Sequence, residues 1–143
     1  MTEVQVRVAS FADLTTDQLY AVLRLRVDVF VVEQACAYPE LDGRDTEPGT
    51  EHLWVDVDGE VAAYVRVLEE DSHAIIGRVV TVDGHRGRGY AAQLIRVALE
   101  RIGNRPTRIG AQTHLEQWYA QFGFVRSGPD YDDDGIMHLP MVR

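Results

Sequence analysis

Apolar residues recur along this chain with two periods. Between positions 91 and 102 they fall at Ala91, Leu94, Ile95, Ala98, Leu99 and Ile102. That is the i, i+3, i+4, i+7 spacing of one helical face. Just upstream, Val79-Val80-Thr81-Val82 is an apolar, β-branched run that ends at Asp83-Gly84. A strand therefore feeds a helix through the turn His85-Arg86-Gly87-Arg88-Gly89-Tyr90. The rest of the chain is organised around this unit.

Alternation marks the strands on its N-terminal side. Val4, Val6 and Val8 predict a strand over 3–9. Thr15-x-x-Gln18 is a capping box, and Leu19, Val22, Leu23, Val27, Phe30 and Val31 continue as one helical face. Arg24 and Asp28 lie on the other face at a supportive i, i+4 spacing. Residues 34–50 carry Pro39, Gly43, Pro48 and Gly49 with no clear period. A loop of this length suggests a functional role, and a substrate lid is the expectation. Leu53, Val55 and Val57 alternate, Asp58-Gly59 reads as a hairpin turn, and Val61, Ala63, Val65 and Val67 follow. A strand over 74–82 completes an antiparallel meander.

Beyond the helix at 89–102, residues 107–112 read as a strand parallel to 74–82. Thr113-x-x-Glu116 then reads as a second capping box. Leu115, Trp118, Tyr119 and Phe122 follow at helical spacing, with Gly123 as the stop. Residues 124–127 and 136–142 read as a closing hairpin.

Composition narrows the classes. The 143 residues are 45% hydrophobic and 26% charged, which fits one globular domain over 1–143. No apolar run approaches the ~20 residues of a membrane span. The opening Met1-Thr2-Glu3-Val4-Gln5 has neither a basic start nor an apolar core, so a cytoplasmic protein is expected. Cys36 is the only cysteine, which excludes an intrachain disulfide and suggests a reducing compartment; a semi-buried loop thiol is favoured over a nucleophilic role. No Cys/His pattern has zinc-ligand spacing, so no metal is expected. The net charge of −9 argues against nucleic acid as a partner. From Glu33 to Glu60 there are nine acids and one base, Arg44, and Asp130 and Asp132-Asp133-Asp134 form a second group. These acids either keep the surface soluble or attract a cationic amine.

The turn at 85–90 carries the chemistry. Free N–H groups at a helix start form an anion site. Glycines admit a large anion to the backbone, and arginines add charge-assisted donors. A pyrophosphate is the simplest such anion. A Walker A loop needs Lys-Ser or Lys-Thr, where this chain has Tyr90-Ala91. Gly87-x-Gly89-x-x-Ala92 matches the dinucleotide fingerprint, but the acidic residue expected ~20 positions on is missing. Thr107-Arg108-Ile109-Gly110 stands there instead. The third reading is Arg86-x-x-Gly89-x-Ala91. It resembles the acyl-CoA loop of the GNAT acetyltransferase superfamily. Residues 111–124, ending Tyr119-x-x-x-Gly123-Phe124, resemble that superfamily's second signature. Together the two cover about 76–126.

Further positions resemble the ElaA-like subgroup of that superfamily. They are Arg26-x-x-Val29-Phe30-Val31-Val32-Glu33-Gln34, Tyr38-x-Glu40-x-Asp42-Gly43-x-Asp45, His52-Leu53, Gly77-Arg78-Val79, Ala111-Gln112 and Asp134-Gly135-Ile136-x-His138. Gln112 departs from the asparagine common before the second-signature helix.

The resemblance implies a GNAT fold of the α/β (α+β) class. Its sheet is mixed and mostly antiparallel, has one parallel strand pair at the acyl-CoA site, and is flanked by helices. Acetyl-CoA is the implied donor, and a primary amine of a small molecule or peptide is the implied acceptor. Direct attack in a ternary complex is the implied route. Strands 74–82 and 107–112 are expected to splay, with pantetheine between them. The implied cofactor contacts are the backbone of Val79, Val80 and Thr81, then Arg86, Gly87, Arg88, Gly89, Tyr90 and Ala91, and Gln112. A backbone N–H near Val79 would polarise the carbonyl. Tyr119 matches the tyrosine that protonates the thiolate. The base stays open: the subgroup pattern singles out Glu33, His52 and His138, and a water chain is the alternative. Arg78, in an apolar strand, is held by a carboxylate such as Glu33 or recognises an acidic group on the substrate. The protein is expected as a monomer or homodimer, with no membrane partner. A non-catalytic acetyl-CoA-binding sensor or scaffold is the second class, and a dinucleotide-binding domain the third.

Overall fold

The alternation seen in the sequence becomes the two faces of one sheet. A computed structural model describes residues 2–143. In chain order the elements are β1 (Val4–Ser10), α1 (Thr16–Arg26), β2 (Glu51–Val57), β3 (Glu60–Glu69), β4 (Ala74–Thr81) and α2 (Tyr90–Ile102). Then come β5 (Thr107–Gln112), α3 (Glu116–Ala120), β6 (Val125–Arg126), β7 (Tyr131–Asp133) and β8 (Ile136–Val142). The sheet order is β1-β2-β3-β4-β5-β8-β6, with β7 also on β8. All pairings are antiparallel except β4 with β5. This is the expected mixed α/β sheet with a parallel pair.

Leu53, Val55, Val65 and Val67 share one core with Leu94, Ile95, Ala98 and Leu99 of α2. The alternate positions Trp54 and Tyr64 pack with Val22, Leu25 and Val29. The period of two thus sorts each strand between a helix on either face. Asp58 and Gly59, with φ of 49° and 85°, make the tight β2–β3 turn. No helix among the described residues is long and apolar enough to cross a membrane.

Three local forms differ from the sequence expectation. Thr15 and Gln18 cap α1 reciprocally as expected. The α-helix then stops at Arg26 and widens into a π-helical stretch, Val27–Glu33. There the Gln34 N–H bonds to the Val29 carbonyl at 3.0 Å, and the Cys36 N–H to the Val31 carbonyl at 3.1 Å. The β-branched Val27, Val29, Val31 and Val32 crowd an α-helix, which favours the change. The capping box expected at Thr113 is not formed. Thr113–Leu115 is a 3-10 turn without a side-chain cap, so α3 starts only at Glu116. The closing hairpin between β6 and β8 forms, but an additional strand, β7, folds back on β8 first. Asp134 and Gly135, with φ of 50° and 84°, turn that inner hairpin.

The loop at 34–50, expected as a lid, is pinned to the body of the fold by ion pairs. Its Glu40 and Asp45 are buried, and together with the more exposed Asp42 they meet arginines from three other elements. Arg26 is fully buried and donates to Glu40 at 2.7 Å and to Asp45 at 2.7 Å. Arg66 grips Asp42 through two nitrogens, at 2.9 and 2.8 Å, and reaches Asp45 at 3.2 Å. Arg78 donates to Glu40 at 2.7 Å. Burial pushes the Asp42 and Asp45 carboxyls up, but hydrogen bonds and charge from the arginines outweigh it and hold both below the usual carboxylate range.

Removing one member strands the others. Asp45→Ala is expected to cost about 3–5 kcal/mol, since it leaves buried guanidinium groups short of charge. The exposed Arg24–Asp28 pair, at 3.7 Å, is the control. Asp28→Ala there is expected to cost less than about 0.5 kcal/mol. Urea denaturation of both variants checks the contrast, and equal costs would contradict it.

Candidate functional site

β4 and β5 share only two residue pairs, Ala74 with Thr107 and Ile75 with Arg108. Beyond them the strands part. β5 follows β8, from Arg108 opposite Val142 to Gln112 opposite His138. β4 stays on β3, but with a bulge: Tyr64 faces Val80 while Arg66 faces Gly77. Two residues, Arg78 and Val79, therefore oppose Val65 alone, and such an insertion bends the strand.

The parting opens two adjoining cavities of about 440 and 500 Å³. Val79, Val80, Thr81, Arg86, Leu115 and Tyr119 belong to the walls of both. The structure thus gathers the β4 backbone, the glycine turn and the second signature around one cleft.

The turn's geometry follows from its glycines. Gly87 and Gly89 have φ of 80° and 78°, the left-handed region that disfavours other residues. Gly89 caps α2. The first intrahelical bond runs from the Gln93 N–H to the Gly89 carbonyl at 3.0 Å. The N–H groups of Tyr90, Ala91 and Ala92 are left without helical acceptors at the positive end of the helix. Space is open where a Cβ would stand on either glycine. Arg88 and Tyr90 line the second cavity. Arg86 is tethered: it donates to the Thr81 carbonyl at 3.0 Å and to Glu33 at 2.7 Å.

That ion pair corrects one expectation. Glu33 lines the first cavity, but its partner is Arg86 rather than Arg78. Arg78 is held by the Glu40 carboxylate, by the Glu40 carbonyl at 3.1 Å and by Asp42 at 3.4 Å. Its guanidinium also lies 5.6 Å from the centre of the Tyr38 ring.

His52 leaves the list of candidate bases, because it sits in the core at 1% exposure. Its Nε2 faces the Asp45 carbonyl at 3.0 Å and its Nδ1 faces the Tyr64 hydroxyl at 2.6 Å. A carbonyl only accepts, so the proton is on Nε2 and the Tyr64 O–H donates to Nδ1. Burial lowers the His52 pKa and keeps the ring neutral. His138 does reach the cleft. Its Nδ1–H donates to the Ile136 carbonyl at 2.8 Å, so Nε2 carries the lone pair. The ring stacks on Tyr131 with centroids 5.8 Å apart.

Tyr119 is 4% exposed and held edge-on by Trp118 and Phe124, with centroids 4.8 and 6.2 Å away. Burial raises its pKa above that of an ordinary phenol, so the O–H stays protonated. Gln112 lines the first cavity and donates weakly to Gln34 at 3.5 Å.

The acids divide. Glu47 pairs with Arg44, Glu51 with Arg101, and Asp56 with Arg7, so much of the 33–60 group is neutralised. Asp133 and Asp134 remain at the first cavity. Cys36 stands there too, its thiol donating to the Asp134 carbonyl at 3.3 Å. Desolvation and the nearby Asp134 and Asp133 carboxylates raise its pKa. Sequence reading had not placed Tyr38 or Tyr131 at the site, and had offered Asp133 and Asp134 only within an acidic group that either keeps the surface soluble or attracts a cationic amine. Their positions depend on β7 and the aperiodic loop, which have no hydrophobic period.

The comparisons agree with this geometry. Over its full length the chain is 49% identical to the UPF0039 protein Rv2851c of Mycobacterium tuberculosis, covering 94% of that protein. It is 38% identical to protein ElaA of Escherichia coli K12, over 92% of this chain and 91% of that one. The crystal structure of Escherichia coli ElaA superposes with a TM-score of 0.93 at 35% identity, covering 99% of both chains. That of an acyl-CoA N-acyltransferase from Pseudomonas aeruginosa gives 0.92 at 40% identity, also over 99% of both. Residues 12–143 match the model of the acetyltransferase (GNAT) domain, and the chain belongs to that family.

Proposed function

We propose that this chain moves an acetyl group from acetyl-CoA to a primary amine of a small molecule or peptide, by direct attack in a ternary complex. The observation that carries the reading is the cleft where β4 and β5 part, with the glycine turn and Tyr119 in its walls. The 40% identity to the Pseudomonas aeruginosa acyl-CoA N-acyltransferase supports the reaction class.

The donor supplies an activated thioester. The residues present suit it. The free N–H groups at the start of α2 and the Arg88 guanidinium would hold its pyrophosphate. The backbone of Val79, Val80 and Thr81 would hold the pantetheine, as an added strand does at an open sheet edge. Arg86, fixed by Glu33 and the Thr81 carbonyl, ties the turn to β4. Val79 would offer its N–H, within the bulge, for carbonyl polarisation. His138 would take the amine's proton on Nε2, the nitrogen its bond to Ile136 leaves free. Tyr119 would donate its O–H to the departing sulfur. A donor in this position favours an enzyme over a binding module.

Gly89→Val tests the turn. At φ of 78° a β-branched side chain is strained by roughly 1–2 kcal/mol or more, and it intrudes on the backbone approach. Calorimetry with coenzyme A is expected to record a loss of affinity of about tenfold or more. Unchanged affinity in a folded variant would remove the turn from the proposal.

Tyr119→Phe keeps the ring against Trp118 and Phe124 and deletes the O–H. The expected fall in kcat is about 10- to 1,000-fold, with little change in coenzyme A affinity. Thiol release from acetyl-CoA across an amine panel reads it. A kcat that does not fall, where chemistry limits the rate, would assign the proton to water or another residue.

A further inference from the structure

We propose that Arg78 is a positioning residue: it fixes the β4 backbone at the cleft and does not bind the acceptor. The inference rests on the acyl-transfer reading above. Arg78 has φ of 52°, in a region that residues other than glycine seldom occupy. It stands in the β4 bulge, where Arg78 and Val79 face Val65 alone. Bulges of this kind commonly place glycine at the left-handed position. The conformation of Arg78 sets the direction of the next peptide unit, and with it the Val79 N–H. Past Ile75, β4 has no hydrogen-bonded neighbour on its β5 side. Something other than the sheet must therefore hold the bulge.

The side chain of Arg78 provides that hold. Nε donates to Glu40 at 2.7 Å, Nη2 donates to the Glu40 carbonyl at 3.1 Å and to Asp42 at 3.4 Å, and Tyr38 lies beneath. The far side of this clamp is rigid in turn. Glu40 is 3% exposed and also accepts from Arg26 and Tyr38, while Asp42 is gripped by Arg66. A continuous set of charge-assisted bonds thus runs from the end of α1 through the 34–50 loop to the bulge. It also meets the positive charge of Arg78 with protein carboxylates, which leaves an acidic acceptor little to recognise.

Two variants separate the backbone role from a substrate role. Arg78→Ala removes the clamp and keeps a Cβ in the left-handed conformation. Arg78→Gly removes the same clamp and lets the backbone take that conformation freely. Both should fold, because Glu40 keeps Arg26 and Asp42 keeps Arg66. Arg78→Ala is expected to lose about 10- to 100-fold in kcat, the scale of a small misplacement at a reacting group. Acceptor KM should change little. Arg78→Gly is expected to recover part of that loss, about threefold or more without reaching the wild type, and to melt at a higher temperature than Arg78→Ala. Equal losses in both variants, carried by acceptor KM, would overturn the inference and make Arg78 a substrate contact. If the wild type releases no thiol with any amine, the acyl-transfer reading fails. The melting temperatures then decide the clamp alone: Arg78→Ala should melt below the wild type, which keeps the same Cβ in the same conformation, and Arg78→Ala melting at or above the wild type overturns it.

Discussion

Parallel pairing between β4 and β5 ends after two residue pairs, and the rest of the site depends on that ending. A sheet that kept its ladder would bury these backbone groups in hydrogen bonds and leave no cleft. A sheet that opened without support would not hold its shape. Here each strand is secured on its outer side. β5 is paired along its length with β8, and β4 with β3. The result is an open edge inside a sheet, a place where main-chain groups await a partner. In the proposed function that partner is the pantetheine arm of the donor.

The two faces of the sheet do different work. The face toward α2 is apolar and supplies the main core. The other face carries Trp54 and Tyr64 under α1, and beyond them His52, Arg66 and the charged loop. Burying that many charges is not an efficient route to stability, since apolar residues of similar volume often do as well or better. What the ionic contacts provide is geometry. Bidentate and shared guanidinium–carboxylate bonds fix direction as well as distance. They seat an aperiodic loop, orient Arg78 and leave the bulge in one conformation.

Much of the fold was legible because it is written in short-range patterns. The face of α2, the Asp58-Gly59 turn, the cap at Thr15 and the 107–112 strand all follow from spacing and residue type. The glycine turn was legible for the same reason. The misreadings share a cause. Arg78 meets Glu40, which lies 38 positions upstream in a stretch without period. Glu33 looked like a partner for Arg78 but faces Arg86, because the π-helical stretch sets where residue 33 emerges. His52 looked available, yet the alternation of β2 turns it into the core beside Tyr64. The acids at 33–60 left a solubilising surface and an amine-attracting one equally open, because their arginine partners lie elsewhere in the chain. Local periodicity says which side of a strand a residue takes; it does not say which distant charge is waiting there.

The most direct test of the proposed site is a crystal structure of the protein with coenzyme A. The expected result places the pantetheine arm between β4 and β5, hydrogen-bonded to the main chain from Val79 to Thr81. The pyrophosphate should lie over Gly87 and Gly89, and the sulfur within reach of the Tyr119 hydroxyl. Coenzyme A bound elsewhere, or β4 and β5 closed on each other with the cleft lost, would contradict the account at its base.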